Sequence, residues 1–149
     1  MVPSYYLAIA RDAIQKRLSD SYIDKNILIA KHPEMAEKQA TFVTLTLHGR
    51  LRGCIGSIIA HRALIDDLIS NAESAAFRDP RFLPLTSEEF DEIKIEVSLL
   101  SDPKEIRYRD THELFQIIRP NIDGVILRYD KYQATFLPQV WELRVFDKS

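Results

Sequence analysis

The only cysteine of the 149-residue chain, Cys54, lies in the segment Leu-Arg-Gly-Cys-Ile-Gly-Ser at residues 51–57. Arg52 precedes the thiol by two residues, so the two side chains would share one face of an ideal strand. A nearby guanidinium favours the thiolate, which is the nucleophilic form of cysteine. Gly53 and Gly56 flank the cysteine, and glycine within a strand marks a bulge or a close approach to the main chain. The segment therefore predicts a reactive thiol, acting as a nucleophile or a redox group.

The same cysteine also fits a structural role. Free cysteine is among the most buried residue types and packs as a small apolar side chain. A catalytic thiol is usually activated by a base, and His48 and His61 are the nearest histidines in the sequence. Each of them also fits a simpler role, His48 in a turn and His61 at the start of a helix. The sequence leaves both interpretations of Cys54 open.

Two further charged residues, Asp79 and Arg81, lie in the Asp-Pro-Arg-Phe segment at 79–82, where the proline stiffens the chain. We expect them to line the same concavity as Cys54. In that arrangement Arg52 and Arg81 would hold an anionic group and Asp79 would orient them. Alternatively, one arginine pairs with Asp79 and fixes the preceding helix to the hairpin.

Composition excludes several classes of function. The net charge of −2 is the wrong sign for a protein held to nucleic acid mainly by phosphate contacts. The four histidines are scattered without metal-ligand spacing, so we expect no metal site and no cofactor. A single cysteine fits a reducing compartment, and the charges within residues 1–20 argue against a signal peptide or a membrane span there. We expect a cytoplasmic protein that is not bound to a membrane.

Hydrophobic periodicity predicts the elements that position these residues. Helices are predicted over residues 5–18 and 61–77, from Asp110 to Pro120, and from Pro138 onward. Strands are predicted over residues 41–47, 50–59, 93–99, 125–127 and 134–137. Residues 19–40 lack a clear period and are predicted as a connection. Within the first hairpin, the face of Val43, Leu45 and Leu47 should enter the core.

Antiparallel hairpins mixed with helices are typical of the α+β class. We therefore predict an antiparallel or mixed sheet built from hairpins, with helices packed on it. The length predicts a single domain over residues 1–149, built of two lobes.

The motifs resemble those of the domain family named after the Alport syndrome, mental retardation, midface hypoplasia and elliptocytosis chromosomal region, hereafter the AMMECR domain. The matching segments, in family order, are residues 42–45, 51–56, 75–77, 79–82, 95–98, 123–124 and 136–141. The most specific of them are Leu-Arg-Gly-Cys-Ile-Gly and Asp-Pro-Arg-Phe.

The resemblance implies a two-lobed fold with a cleft near the cysteine motif. The family has no established biochemical activity. Its bacterial and archaeal members tend to be encoded beside, or fused to, a Memo-like protein and a radical SAM protein, which implies that these are partners. Members usually continue beyond Val-Trp-Glu at 140–142 into a further helix, so we expect this chain to lack the usual C-terminal helix.

Two functions follow as hypotheses. The first is a binding module whose cleft holds a partner segment or a small ligand and performs no chemistry. The second is a thiol-dependent enzyme that uses Cys54 on a small anionic substrate. We favour the module because no base or metal constellation accompanies the cysteine.

Overall fold

The computed structural model describes residues 2–120 and 122–138. The helices are α1 (Ser4–Leu18), α2 (Lys25–Lys31), α3 (Leu64–Phe77), α4 (Ser87–Phe90) and α5 (Thr111–Ile117), with a 3-10 turn at Pro33–Ala36. The strands are β1 (Ala40–Leu47), β2 (Arg50–Gly56), β3 (Ile93–Leu100), β4 (Val125–Tyr129) and β5 (Tyr132–Phe136). The chain divides into two compact units, residues 1–103 and 104–149. The α+β class is confirmed.

The first unit contains a three-stranded antiparallel sheet in the order β2-β1-β3. Helices α1 and α3 pack on one face of this sheet, because both present runs of small and branched apolar side chains there. Val43 and Leu45 are fully buried on that face, as their alternation predicts. The opposite face carries the half-buried Phe42, Thr44 and Thr46.

The turn between β1 and β2 consists of His48 and Gly49, both with positive φ (51° and 78°). A two-residue loop of this kind matches the right-handed twist of the paired strands. The register then shifts: Thr46 pairs with Leu51, whereas Leu45 pairs with Gly53. Arg52 is therefore the extra residue of a β-bulge.

The largest differences from the sequence prediction are a missed helix and the limits of α3 and β2. Residues 19–40 contain α2, which begins because the Asp24 carboxylate accepts hydrogen bonds from two main-chain N–H groups of its first turn. This helix buries none of its residues, so no periodic pattern marks it. Helix α3 begins at Leu64 rather than at residue 61, because the Leu64 N–H donates to the Glu37 carbonyl. Strand β2 ends at Gly56.

The second unit contains α5 and the β4-β5 hairpin. The Asp110 side chain accepts from the Glu113 N–H at the start of α5, as the sequence predicts. The hairpin turns at Asp130, whose φ is 54°. The helix predicted from Pro138 lies outside the described residues. Across residues 2–120 and 122–138, no helix has the length and apolarity that a bilayer span requires.

Candidate functional site

Cys54 lies in the middle of β2, which among residues 2–120 and 122–138 pairs with β1 alone and forms an edge of the sheet. Its main-chain N–H donates to Oδ2 of Asp79 (3.0 Å), and its carbonyl accepts from Nη2 of Arg81 (3.3 Å). The outward polar groups of Cys54 are thus bonded to side chains from the 79–82 turn. The structure brings these three predicted residues together, although Cys54 is 25 residues away from Asp79 in the sequence.

Asp79 and Arg81 form a bidentate ion pair. Asp79 is 4% exposed, and its carboxylate accepts from Nε (3.0 Å) and Nη2 (2.7 Å) of Arg81. The carboxylate also accepts from the Arg81 main-chain N–H (3.1 Å). The side-chain hydrogen bonds from Arg81 lower the pKa of Asp79 to about 2, against the opposing effect of burial. This geometry matches the structural alternative, in which the pair fixes the turn after α3 to the hairpin.

Arg52 contacts the same turn through a different set of groups. Its Nε and Nη2 donate to the two carboxylate oxygens of Glu89 (2.7 and 3.0 Å), and Nη2 also donates to the Leu83 carbonyl (2.8 Å). The hydrogen bonds from Arg52 to the Glu89 carboxylate are the main cause that lowers the pKa of Glu89 to about 2. The guanidinium groups of Arg52 and Arg81 lie 5.7 and 5.5 Å from the centre of the Phe82 ring. The charge of Arg52 is therefore paired with a carboxylate, which the ideal-strand prediction did not anticipate.

The Cys54 thiol is not activated in this structure. Burial raises its pKa above the ordinary value, and the hydrogen bond with the Thr44 hydroxyl (3.3 Å) and the charge of Arg81 oppose that effect only in part. The predicted bases bond elsewhere: His48 Nε2 lies 2.6 Å from Glu92 Oε2, and His61 Nδ1 lies 3.1 Å from the Ile59 carbonyl. At neutral pH the thiol is protonated.

The two glycines that flank Cys54 allow close packing. A Cβ atom at Gly53 would overlap the carbonyl oxygen of Ala75 in α3. A Cβ atom at Gly56 would overlap the Phe42 ring. The main chain of β2 is approached closely, as the sequence predicts, and the approaching groups belong to this chain.

A buried polar network, which sequence reasoning missed, joins α3 to the ends of β1 and β2. Asp67 is fully buried. Its carboxylate accepts from the N–H and hydroxyl of Thr41, the hydroxyl of Ser57, Nε of Arg62 and Nδ2 of Asn71. Burial raises the pKa of Asp67, but the hydrogen bonds from Ser57, Thr41 and Arg62 together outweigh that effect, so the pKa lies below its ordinary value. The signal in the sequence is a pair of polar residues, Asp67 and Asn71, within the apolar stripe of α3.

A concavity of about 460 Å³ lies beside the first hairpin turn, lined by Leu47, His48, Arg50, Leu51 and Arg52. Of the residues predicted to form the cleft, Arg52 lines this concavity, and so does His48, the candidate base. Within the described part of the chain, no group of three or more His, Cys, Asp or Glu side chains is placed to hold a metal ion.

The family model AMMECR1 matches residues 7–148, and the chain belongs to this family. A protein of Methanothermobacter thermautotrophicus is 40% identical over 134 residues, which are 89% of this chain and 68% of that protein. Protein MJ0810 of Methanocaldococcus jannaschii is 39% identical over 140 residues, 92% of this chain and 68% of that protein. A protein of Sulfolobus acidocaldarius is 35% identical over 150 residues, 94% of this chain and 65% of that protein.

The fold is also that of a solved structure, the uncharacterised protein PH0010 from Pyrococcus horikoshii. The TM-score is 0.80 at 33% sequence identity, over 91% of this chain and 68% of that one. The chain thus spans about two thirds of the length of these relatives. The predicted family is confirmed.

Proposed function

We propose that this chain is a binding module that performs no chemistry at Cys54. One observation carries the proposal: the polar groups predicted to do chemistry are hydrogen-bonded to one another. Asp79 and Arg81 bond to each other and to the main chain of Cys54, and Arg52 bonds to Glu89. Such an arrangement fixes the shape of a surface, whereas an enzyme of this kind needs an activated thiolate.

The proposed binding surface is the 81–83 turn. The Leu83 carbonyl is fixed by Arg52, while 83% of the Leu83 residue surface is exposed to solvent. The Arg81 side chain is 54% exposed, although it pairs with Asp79. Because the main chain of this turn is already held, little backbone entropy would be lost there when a partner binds, and arginine is enriched at the centres of interfaces.

The family resemblance suggests what the partners are. We propose that a Memo-like protein or a radical SAM protein binds this turn, with an apolar pocket for Leu83 and an acidic group facing Arg81. The concavity at residues 47–52 would accept a small anionic ligand, because Arg50 is exposed at its edge. The single cysteine supports a cytoplasmic location for the complex.

Titration calorimetry with a purified Memo-like protein and a purified radical SAM protein from the same organism tests the binding proposal. The wild-type chain should bind at least one of them, and Leu83→Asp should weaken that affinity by about tenfold or more. Tyr22→Asp is the matched control, because Tyr22 is 86% exposed and lies outside the turn. If neither protein binds, or if both variants weaken binding equally, the proposal is wrong.

The rate of Cys54 alkylation against pH separates the module from the enzyme. We expect the rate to rise with a midpoint above about 8.5, the ordinary value for a cysteine thiol, because burial disfavours the thiolate. A midpoint near 6 or 7 would instead support a thiol enzyme.

A further inference from the structure

Strand β3 forms the second edge of the sheet, opposite β2. The Ser57 N–H donates to the Thr41 carbonyl (2.9 Å), so odd-numbered residues of β1 direct main-chain groups toward β2 and even-numbered residues direct them toward β3. Thr44 pairs with Glu96 and Thr46 with Lys94. The main-chain groups of β3 that point away from the sheet are consequently those of Ile93, Ile95, Val97 and Leu99.

These outward groups are available for pairing. Within residues 2–120 and 122–138, the main-chain groups of Ile95, Val97 and Leu99 that face away from β1 have no hydrogen-bond partner. The Ile93 carbonyl accepts from Arg11 Nη2 at 3.3 Å. The strand contains no proline, so every residue retains its N–H. An open edge of this kind binds another extended strand by continuing the hydrogen-bond ladder.

We propose that β3 pairs with β3 of a second copy of this chain, antiparallel about a twofold axis through Ile95. The two three-stranded sheets would then form one continuous six-stranded sheet. In this register Lys94 lies opposite Glu96 of the partner subunit, and Glu96 lies opposite Lys94 of the partner subunit. This surface is separate from the turn at residues 81–83, and the proposal does not depend on the function proposed above.

The charges of Lys94 and Glu96 indicate that the strand paired with β3 is β3 of a second copy, and that the twofold axis passes through Ile95. Lys94 and Glu96 are both exposed, and neither forms a salt bridge with a described residue. An axis through Lys94 or through Glu96 would place like charges opposite each other, and an axis through Val97 would place Glu96 opposite Ser98 of the partner subunit. Of the four possible axes, only the one through Ile95 places Lys94 and Glu96 each opposite a residue of opposite charge. Oppositely charged residues on neighbouring strands stabilise a sheet.

The expected dimer is weak. One short ladder and two exposed ion pairs form a small interface, so dissociation should occur within an experimentally accessible concentration range and should be promoted by salt.

Charge exchange at residues 94 and 96 tests the proposal by sedimentation velocity over a concentration series of the full chain. Lys94→Glu and Glu96→Lys should each raise the dissociation constant by about tenfold or more, because each creates two like-charge pairs. The double variant should restore the wild-type constant. An equimolar mixture of the two single variants should form a heterodimer, since each strand then opposes its complement. Both positions are exposed, so the fold should survive the changes.

Amide hydrogen exchange locates the contact. Ile95 and Val97 amides should exchange fast at low concentration and become protected as the dimer forms, while Lys94 and Glu96 amides, bonded to β1, should be protected throughout. A wild-type chain that stays monomeric at every concentration overturns the proposal. The proposal is also wrong if the single charge reversals leave the dimer intact. It is equally wrong if the Ile95 and Val97 amides become protected only when a different protein is added.

Discussion

At the scale of single residues, Asp79 holds the candidate site together. Its buried carboxylate accepts four hydrogen bonds, three from Arg81 and one from the Cys54 main chain. The sequence predicted that Asp79, Arg81 and Cys54 would meet, because proline-stiffened and glycine-containing segments each mark a constrained backbone. It could not show that Arg52 binds Glu89, since that contact depends on a bulge set by strand register and on the distant α4.

The first prediction concerns Asp79→Asn. The pKa of Asp79 is about 2 in the fold against 3.8 for a free group. The ionised carboxylate therefore adds stability that is fully present above about pH 4 and is lost as the pH falls through about 2. We expect the variant to lose about 2 kcal/mol of unfolding free energy at pH 7 and almost none at pH 2, measured by urea titration.

Asp102→Asn is the control for this measurement, because Asp102 is an exposed carboxyl outside the sheet and helices. Its effect should stay within about 0.5 kcal/mol at both pH values. A loss at Asp79→Asn that is the same at pH 7 and pH 2 would mean that the charge of Asp79 does not contribute to stability.

At the scale of elements, the contact between α3 and β2 determines where the cysteine segment lies. Gly53 lies against the main chain of Ala75, which brings the helix close to the strand. Alternation predicted β1, β3 and their buried faces, because a sheet with one face in the core imposes a two-residue period. The sequence did not predict helix α2, because this helix is short and buries no side chain. It did not predict the Asp67 network, because the partners of Asp67 come from three separate segments.

The second prediction concerns Gly53→Ala. The added methyl group would overlap the Ala75 carbonyl, so α3 and β2 must move apart. We expect a loss of about 1–3 kcal/mol in unfolding free energy, because main-chain atoms cannot yield as a flexible side chain does. Leu51→Ala, at an exposed position of the same strand, should change stability far less. If the two variants are equally stable in thermal melts, the close approach is not tight in solution.

At the scale of the whole molecule, the principal core is built within the first unit. Its buried members run from Tyr6 to Val97, and none comes from the part of the second unit that the structure describes. The sequence predicted a two-lobed domain from its length and from its two hairpins. The boundary at residues 103 and 104 lies in the polar, exposed stretch of residues 101–110. Polar connections of this length also occur within single units, so the stretch alone could not mark the boundary.

The third prediction is that residues 1–103 fold alone. Because the cluster that contains α1, α3 and the three-stranded sheet is complete within this fragment, it should unfold cooperatively. Its amide chemical shifts over residues 4–90 should match those of the full chain. A fragment with helical circular dichroism but no cooperative melt would show that residues 104–149 are needed for a packed core.

The two edges of the three-stranded sheet differ in one respect that governs how far any association can proceed. Asp79 and Arg81 are hydrogen-bonded to the main-chain N–H and carbonyl of Cys54, at the middle of β2. These groups are therefore not available to pair with a strand of another molecule. Pairing through β3 would occupy the other edge of this sheet in each copy. Growth through the three-stranded sheet would therefore stop after a single step, and a concentrated solution of the chain should contain closed pairs rather than fibres built from this sheet.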